Sequence, residues 1–251
     1  MPLLARPPGP TARQAPGPTS SGSRRTAREE ARGSAGTTAW RERVRQHNVE
    51  LERETPGTTD GGDQAVDLTE ALRARRSIKK FADREVTRQL LARLLEAAVL
   101  APNHRLTQPW RFYVLGPKAR RAYGEVLGGR KARKVDDPAA AALVREKVVA
   151  EHAALPAMIA VAMREDPNPE VREEDFAATM MAVQNLALAA VEAGLGTHLK
   201  TGAVMQDPGA RAAVGVAEGE RIVAVVNVGY PAEPPAPKPR TPAGELTTWT
   251  D

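Results

Sequence analysis

The segment from Glu170 to Ala193 limits what this chain can fold into more than any other part of the sequence. Its composition favours a helix, and after Asp175 it keeps almost no polar face, apart from Gln184 and Asn185. A helix that is apolar around most of its circumference has to be covered on nearly all sides. We therefore expect this segment to be either the central core helix of a globular domain or one half of a dimer interface.

Apolar runs before and after this helix predict strands. Residues 156–163 (PAMIAVAM) form a short buried run, and residues 220–228 (ERIVAVVNV) form a continuous β-branched run, typical of a strand covered on both faces. A third strand is predicted at 110–115 (WRFYVL), and an edge strand at 197–200. Together with the helices, these strands indicate an α+β or α/β fold.

Capping residues predict where the shorter helices begin. Asp67 is followed three residues later by Glu70, which predicts a helix from Asp67 to about Arg75. Thr87 precedes an amphipathic stripe that ends before Pro102. The other predicted helices lie at about 118–127 and 138–152, with a short one beginning at Asp207-Pro208.

The first 63 residues differ in composition from the rest of the chain. They contain seven Pro and eight Gly but only seven large apolar residues, too few to offset the entropy lost on ordering. We expect a disordered basic extension over 1–63, in which 40–54 favours a short helix. One folded domain is expected over 64–251, and within it the Pro-rich tail from Pro231 to Pro242 is expected to be extended.

Charge and composition exclude several classes of function. Residues 1–35 hold six Arg and two Glu, which leaves 30 basic and 29 acidic residues elsewhere and argues against a nucleic-acid groove in the folded part. The chain has no Cys, and its four His are scattered, so no metal motif is present. Its apolar runs of about eight or nine residues are far shorter than the ~20 of a membrane helix. We expect a cytoplasmic protein.

Two segments near the first strand are candidate binding sites. Arg75, Arg76 and Ser77 follow the first helix and suit a phosphate, although the same cations would also stabilise the C-terminal end of a helix dipole. In the loop 101–110 (APNHRLTQPW), two prolines restrict the backbone, and Asn, His, Arg and Gln side chains present several kinds of hydrogen-bond donor. The alternative for that loop is a purely structural connection.

Two further candidates lie in the second half of the chain. The glycines of 194–202 (GLGTHLKTG) allow a backbone to approach a flat ligand closely, but the segment follows a helix and is therefore not a dinucleotide-binding fingerprint. In the tail, Lys238 and Arg240 offer a second phosphate clamp, or simply a solvated basic segment.

These four segments, in this order, resemble the FMN-dependent nitroreductase family. The shared motifs are RRSxxxF at 75–81, AP followed by QPWRF within 101–112, a long helix ending in GLG, VxxVGYP at 225–231 and KxR at 238–240. The resemblance extends from about residue 67 to residue 246. It is closest to short, single-domain NAD(P)H nitroreductases, whose loop reads AP, then an acid or amide, then His.

The resemblance implies a three-layer α/β/α fold of the α+β class and a homodimer that exchanges terminal segments. Two FMN molecules would bind at the interface of the protomers. Arg75, Arg76 and Ser77 would hold the phosphate and ribityl of FMN, and Arg240 and Lys238 would add charge to the phosphate site.

The resemblance also implies residues around the flavin ring. His104 would reach the flavin from the partner subunit, whereas Leu199, Lys200 and Thr201 would face the isoalloxazine. Lys200 is expected to supply the positive charge near N1 and O2. No catalytic side chain and no metal are required, because the flavin carries the chemistry.

The implied activity is that of an FMN-dependent NAD(P)H oxidoreductase. Hydride would pass from NADH or NADPH through flavin N5 to a nitroaromatic, quinone or similar acceptor by a ping-pong mechanism. The chain departs from the family pattern at Leu106, where commoner members have Asn, and at 199–201, where the close short members have Trp-Arg-Ser. Two alternatives stay open: a flavin-binding or flavin-cleaving protein without nitroreductase turnover, or a scaffold whose basic extension recruits an acidic partner.

Overall fold

The computed structural model describes residues 67–250, so the predicted extension and its 40–54 helix lie outside the described residues. The elements, in chain order, are α1 (Leu68–Ala74), α2 (Arg88–Val99), β1 (Trp110–Val114), α3 (Pro117–Ala132), α4 (Pro138–Ala153), β2 (Ala157–Arg164), α5 (Pro169–Glu192), β3 (Gly196–Lys200), α6 (Pro208–Val214) and β4 (Glu220–Gly229). Short 3-10 turns occur at Ala203–Gln206 and Ala243–Leu246.

Side-chain caps and prolines fix the helix starts. Both predicted caps are confirmed: Asp67 accepts a hydrogen bond from the Thr69 N–H at 2.8 Å, and Thr87 accepts one from the Leu90 N–H at 3.2 Å. Among the described helices, α3, α4, α5 and α6 each begin with proline in the first turn, where its missing N–H removes no helical hydrogen bond.

The described strands form one sheet in the order β1-β2-β4-β3. Every neighbouring pair is antiparallel, which selects the α+β class over α/β. The apolar runs that predicted buried strands became the two central strands, β2 and β4, and the predicted edge strand became β3. β1 and β3 are therefore the two edge strands of the sheet.

Helices cover both faces of the sheet, as the three-layer prediction requires. On one face α2 and α5 pack against alternate residues of the central strands, such as Ile159 and Val226. On the other face α3 and α6 pack against the intervening residues, such as Met158 and Val225, and α4 packs on α3. This alternation is the two-residue period of a strand buried on both faces.

The burial of α5 differs from the prediction. Its buried residues all lie on one face, at Val171, Asp175, Ala178, Thr179, Ala182, Val183, Leu186, Ala187 and Ala190. The opposite face presents Ala177, Met181, Gln184 and Leu188, and Met181 is 40% exposed. Burial on nearly all sides is therefore wrong for the single chain, because an apolar pattern does not reveal whether the covering surface belongs to the same chain.

The C-terminal tail is extended and exposed after Pro231, as predicted. Two of its large apolar side chains, Leu246 and Trp249, are 76% and 90% exposed. None of the helices within 67–250 combines the length and the hydropathy that crossing a membrane requires.

Candidate functional site

The loop that follows α1 runs along the free edge of β3. The Ile78 N–H donates to the Thr197 carbonyl at 2.8 Å, and Ser77 pairs with Thr197 in a parallel bridge. Further along, Phe81 forms an antiparallel bridge with Pro231, just after β4. The structure thus places Ser77 against Thr197 of β3, the strand that contains Leu199 and Lys200.

Two glycines let this loop lie so close to the sheet. Gly196 and Gly229 are directly opposite each other in the register of β3 and β4. A Cβ at Gly196 would overlap the Ile78 side chain, and a Cβ at Gly229 would lie 2.8 Å from Cδ1 of Phe81. The absent side chains therefore create the space that Ile78 and Phe81 fill.

The cations of this loop differ in their partners. The Arg76 guanidinium donates to the carbonyls of Arg73 and Arg75 at the end of α1, which is the helix-end alternative considered above. Within the described part of the chain, no carboxylate forms an ion pair with Arg75, Arg76 or Lys79. Arg75 and the exposed Ser77 hydroxyl are therefore free to bind an anion.

Two ionisable side chains lie on one face of β3. His198 and Lys200 share that face, because alternate strand residues point the same way, whereas Leu199 points to the other face. Burial lowers the pKa of His198, and the charges of Lys200 and Lys79 lower it further. Burial also lowers the pKa of Lys200, with a further contribution from Lys131.

A second histidine, His152 in α4, is buried close enough to Lys200 to be affected by its charge. His152 is nearly inaccessible, its Nδ1 lies 2.8 Å from the Val148 carbonyl, and its Nε2 has no hydrogen-bond partner. Burial lowers its pKa, and the charge of Lys200 contributes in the same direction. A neutral His152 therefore adds no charge to the surface formed by Lys79, His198 and Lys200.

The loop 101–109 has a distorted backbone that side chains hold in place. Leu106 and Gln108 have φ angles of 49° and 43°, in the left-handed region that side chains other than Asn and Asp rarely adopt. The side-chain oxygen Oδ1 of Asn103 accepts from the Gln108 N–H at 2.8 Å, and the Thr107 hydroxyl donates to Asp175 of α5. Such strain persists only where surrounding contacts maintain it.

The charged residues of this loop are bound to α5. His104 Nδ1 lies 3.2 Å from Glu174, whose other oxygen accepts from Arg105 Nε at 2.8 Å, and Arg105 also lies 3.6 Å from Glu170. The hydrogen bonds from Arg105 and His104 lower the pKa of Glu174. This half of the predicted site is electrostatically satisfied by its own chain.

The structure joins some predicted residues and leaves others apart. Ser77 pairs with Thr197 of β3, the strand that leads into 199–201, whereas among the described residues no hydrogen bond or ion pair joins either segment to His104. Arg240 bonds only to the neighbouring Pro239 carbonyl, and no described contact brings Lys238 or Arg240 to Ser77.

Sequence analysis gave no role to two residues that lie at these sites. Lys79 stands close behind Arg75, Arg76 and Ser77 in the sequence, and the structure adds that it lies near enough to His198 of β3 to lower the pKa of that histidine. Glu174 carries no such signal, because 70 residues separate it from His104 and it lies among other acids at the start of α5.

Comparison with known proteins identifies the family. The model of the nitroreductase family matches residues 72–230. A Bacillus subtilis relative, named "Putative NAD(P)H nitroreductase YfhC", is 36% identical over 186 residues, which make up 72% of this chain and 93% of the relative.

Solved structures agree with this assignment. A nitroreductase-like family protein from Bacillus cereus superposes with a TM-score of 0.64 at 31% identity, over 78% of this chain and 100% of that one. A nitroreductase with bound FMN from Bacteroides fragilis shares the fold, with a TM-score of 0.57 at 23% identity over 74% and 99% of the two chains. The resemblance seen in the sequence is thereby confirmed, and the chain belongs to the nitroreductase family.

Proposed function

We propose that this chain is an FMN-dependent NAD(P)H oxidoreductase that reduces a nitroaromatic, a quinone or a similar acceptor. The observation that carries the proposal is the pairing of Ile78 with Thr197, which joins the loop of Arg75 and Ser77 to the edge of β3. A phosphate donor set and a flat backbone surface then lie side by side, as a flavin mononucleotide requires.

The donor set fits the phosphate of FMN. Arg75 has no carboxylate partner among the described residues, and Ser77 presents an exposed hydroxyl next to it. A guanidinium binds phosphate through two parallel hydrogen bonds, and the hydroxyl adds a neutral donor. Arg76 would contribute after exchanging its bonds to the carbonyls at the end of α1.

The surface beside β3 fits the flavin ring. Leu199 and Lys200 point to opposite faces of the strand, so a ring lying flat on one face would contact only one of these side chains. A ring placed at the end of β3, beside Thr201 and Gly202, would meet both. Gly202 has a φ of 141°, which leaves this turn without a Cβ in the way of the ring.

When bound, FMN supplies hydride acceptance and donation at N5. The chain's own share is to hold the cofactor, orient its ring and place positive charge near N1 and O2. Lys200 is proposed for that charge, and Lys79 lies close enough to His198 to reinforce it. The pKa of Lys200 is lowered mainly by burial and secondarily by the charge of Lys131, so an anionic ring nearby would favour its protonated form.

We also propose that the working form is a homodimer with exchanged terminal segments. The support is apolar surface that the single chain leaves open: Ala177, Met181 and Leu188 on the outward face of α5, and the tail residue Trp249. A tail that packs on the partner would carry Lys238 and Arg240 to the partner's phosphate site. His104 would likewise face the partner's flavin.

Purification of the full chain tests the cofactor first. A flavin absorption spectrum and FMN in the heat-released supernatant are expected. Oxidation of NADH or NADPH should then depend on a nitroaromatic or quinone, with the parallel double-reciprocal lines of a ping-pong mechanism. A protein that contains no flavin and takes up none on reconstitution would refute the proposal.

A flavin-binding or flavin-cleaving protein is the second candidate, favoured by the loss of the aromatic residue at Leu199. It would retain FMN but would not oxidise NAD(P)H in steady state with any of these acceptors. Product analysis by mass spectrometry separates flavin cleavage from simple flavin storage.

A further inference from the structure

The loop 101–109 is attached to α5 by two adjacent carboxylates with different tasks. Asp175 accepts from Thr107 and fixes the second half of the loop. Glu174 accepts from Arg105 and contacts His104 through Nδ1. The His104 side chain nevertheless remains 73% exposed. The contact with Glu174 therefore holds one ring nitrogen and leaves the rest of the imidazole open.

We propose that Glu174 is a positioning residue for His104. An ionised carboxylate only accepts hydrogen bonds, so Nδ1 has to carry the proton in this contact. The other nitrogen, Nε2, is then directed away from α5 and is free to meet a bound molecule. The inference rests on the proposed function. Under that function, His104 would contact the flavin of the partner subunit or the acceptor stacked on that flavin.

The contacts of Arg105 separate this task from simple anchoring of the loop. Arg105 binds Glu170 as well as Glu174, at 3.6 Å and 2.8 Å. His104, in contrast, contacts only Glu174 among the charged groups of the described residues. Removing the Glu174 carboxylate leaves the loop attached through Arg105 to Glu170 and through Thr107 to Asp175. Loss of the Glu174 carboxylate therefore leaves the loop in place and frees only the imidazole of His104 to change its orientation.

A pair of matched variants tests the proposal in the full-length protein. Glu174→Met removes the carboxylate but keeps the length and helix preference of the side chain, and Glu170→Met makes the same change at the carboxylate that does not contact His104. Nitrogen-15 NMR of labelled histidine reports the tautomer without any flavin. We expect Nδ1–H to dominate for His104 in the wild type and in Glu170→Met, and to give way to Nε2–H in Glu174→Met.

Flavin affinity supplies the second readout. Glu174→Met should weaken FMN binding by about two- to tenfold, the worth of one hydrogen bond, and Glu174→Gln should recover part of it by restoring an acceptor. In a His104→Ala background, Glu174→Met should cause no further loss. An undiminished loss in that background, or an unchanged His104 tautomer in Glu174→Met, would overturn the proposal. A wild type that binds no FMN refutes the proposed function instead, and the tautomer still decides whether Glu174 orients His104.

Discussion

The two loops that flank the sheet hold similar cations in opposite electrostatic states. In the loop after α1, Arg75 and Lys79 have no acidic partner among the described residues. In the loop 101–109, Arg105 is bound by two glutamates of α5. A cationic group near a surface without a counter-ion is available to an anionic ligand, whereas a paired one is already neutralised. The first loop therefore has unpaired cations that can bind an anion, whereas the ion pairs of the second loop maintain its conformation.

Under the proposed function, the two loops would contribute different parts of the same site. The loop after α1 would supply affinity for the phosphate. The loop 101–109, held at two strained residues, Leu106 and Gln108, would supply a fixed surface and one histidine. Each of the following experiments changes one side of this contrast.

The largest effect is expected at Arg75. Arg75→Ala should weaken FMN binding by about tenfold to a hundredfold, since a hydrogen bond to a charged group contributes about 1.5 to 3 kcal/mol. Fluorescence titration of the apoprotein measures the affinity. Lys80→Ala, which removes a cation already paired with Glu233 at 2.6 Å, serves as the matched control. If Arg105→Ala weakened binding as much as Arg75→Ala, the contrast between the loops would fail.

The next effect concerns the fit of the first loop against the sheet. Gly196→Ala places a methyl group where Ile78 lies, and overpacking of this kind typically costs about 1 to 3 kcal/mol. Urea denaturation measures the loss of stability. Gly129→Ala in α3 is the control, because no atom lies within 4 Å of its Cβ position, and it should stabilise by about 0.4 to 1 kcal/mol. Equal stability of Gly196→Ala and the wild type would show that the loop is not held by this contact.

A mixed dimer tests whether the two loops of one site come from different chains. Arg75→Ala and His104→Ala subunits, each with its own affinity tag, are exchanged and the heterodimer is isolated. One of its sites then has both residues intact and the other has neither, so about half of the wild-type flavin is expected with two-fold symmetry. Verified heterodimers without any recovery would return His104 to a structural role within its own chain.

The smallest effect is expected at the strained end of the second loop. Leu106 is 78% exposed, so replacing it sacrifices little burial, and its φ of 49° suits Asn far better than Leu. Leu106→Asn should raise stability by roughly 1 kcal/mol, the cost of the left-handed conformation for an ordinary side chain. Leu106→Ala, which keeps a Cβ and gains no polar group, should not. A gain in both variants would point to relief of exposed apolar surface rather than of strain.

Local signals predicted most of the elements, because caps and apolar runs act over a few residues. Asp67, Thr87 and the two central strands were all marked in this way. The one-sided burial of α5 was not predicted, because an apolar helix face can be covered either by its own chain or by a second copy, and the sequence pattern is the same in both cases. The link between His104 and Glu174 was also beyond the sequence, since it depends on how a loop folds back onto a helix 70 residues away.

The positive φ of Leu106 shows a different limit. Commoner family members have Asn at this position, so the departure from the motif implies that the contact made by this Asn is missing or replaced. The structure adds a backbone reason, because Asn is one of the few residues that tolerate this conformation. A departure from a family motif can therefore report the geometry of the chain as well as its chemistry.

The facing glycines at the edge of the sheet couple ligand binding to local opening of the fold. Ile78 fills the gap at Gly196 while its N–H closes on Thr197, so β3 cannot separate from this loop without losing both contacts. Any ligand held by Arg75 and Ser77 then suppresses that opening in proportion to its occupancy. Amide hydrogens of residues 196–200 should accordingly exchange more slowly as the ligand concentration rises, even though the ligand touches few of them.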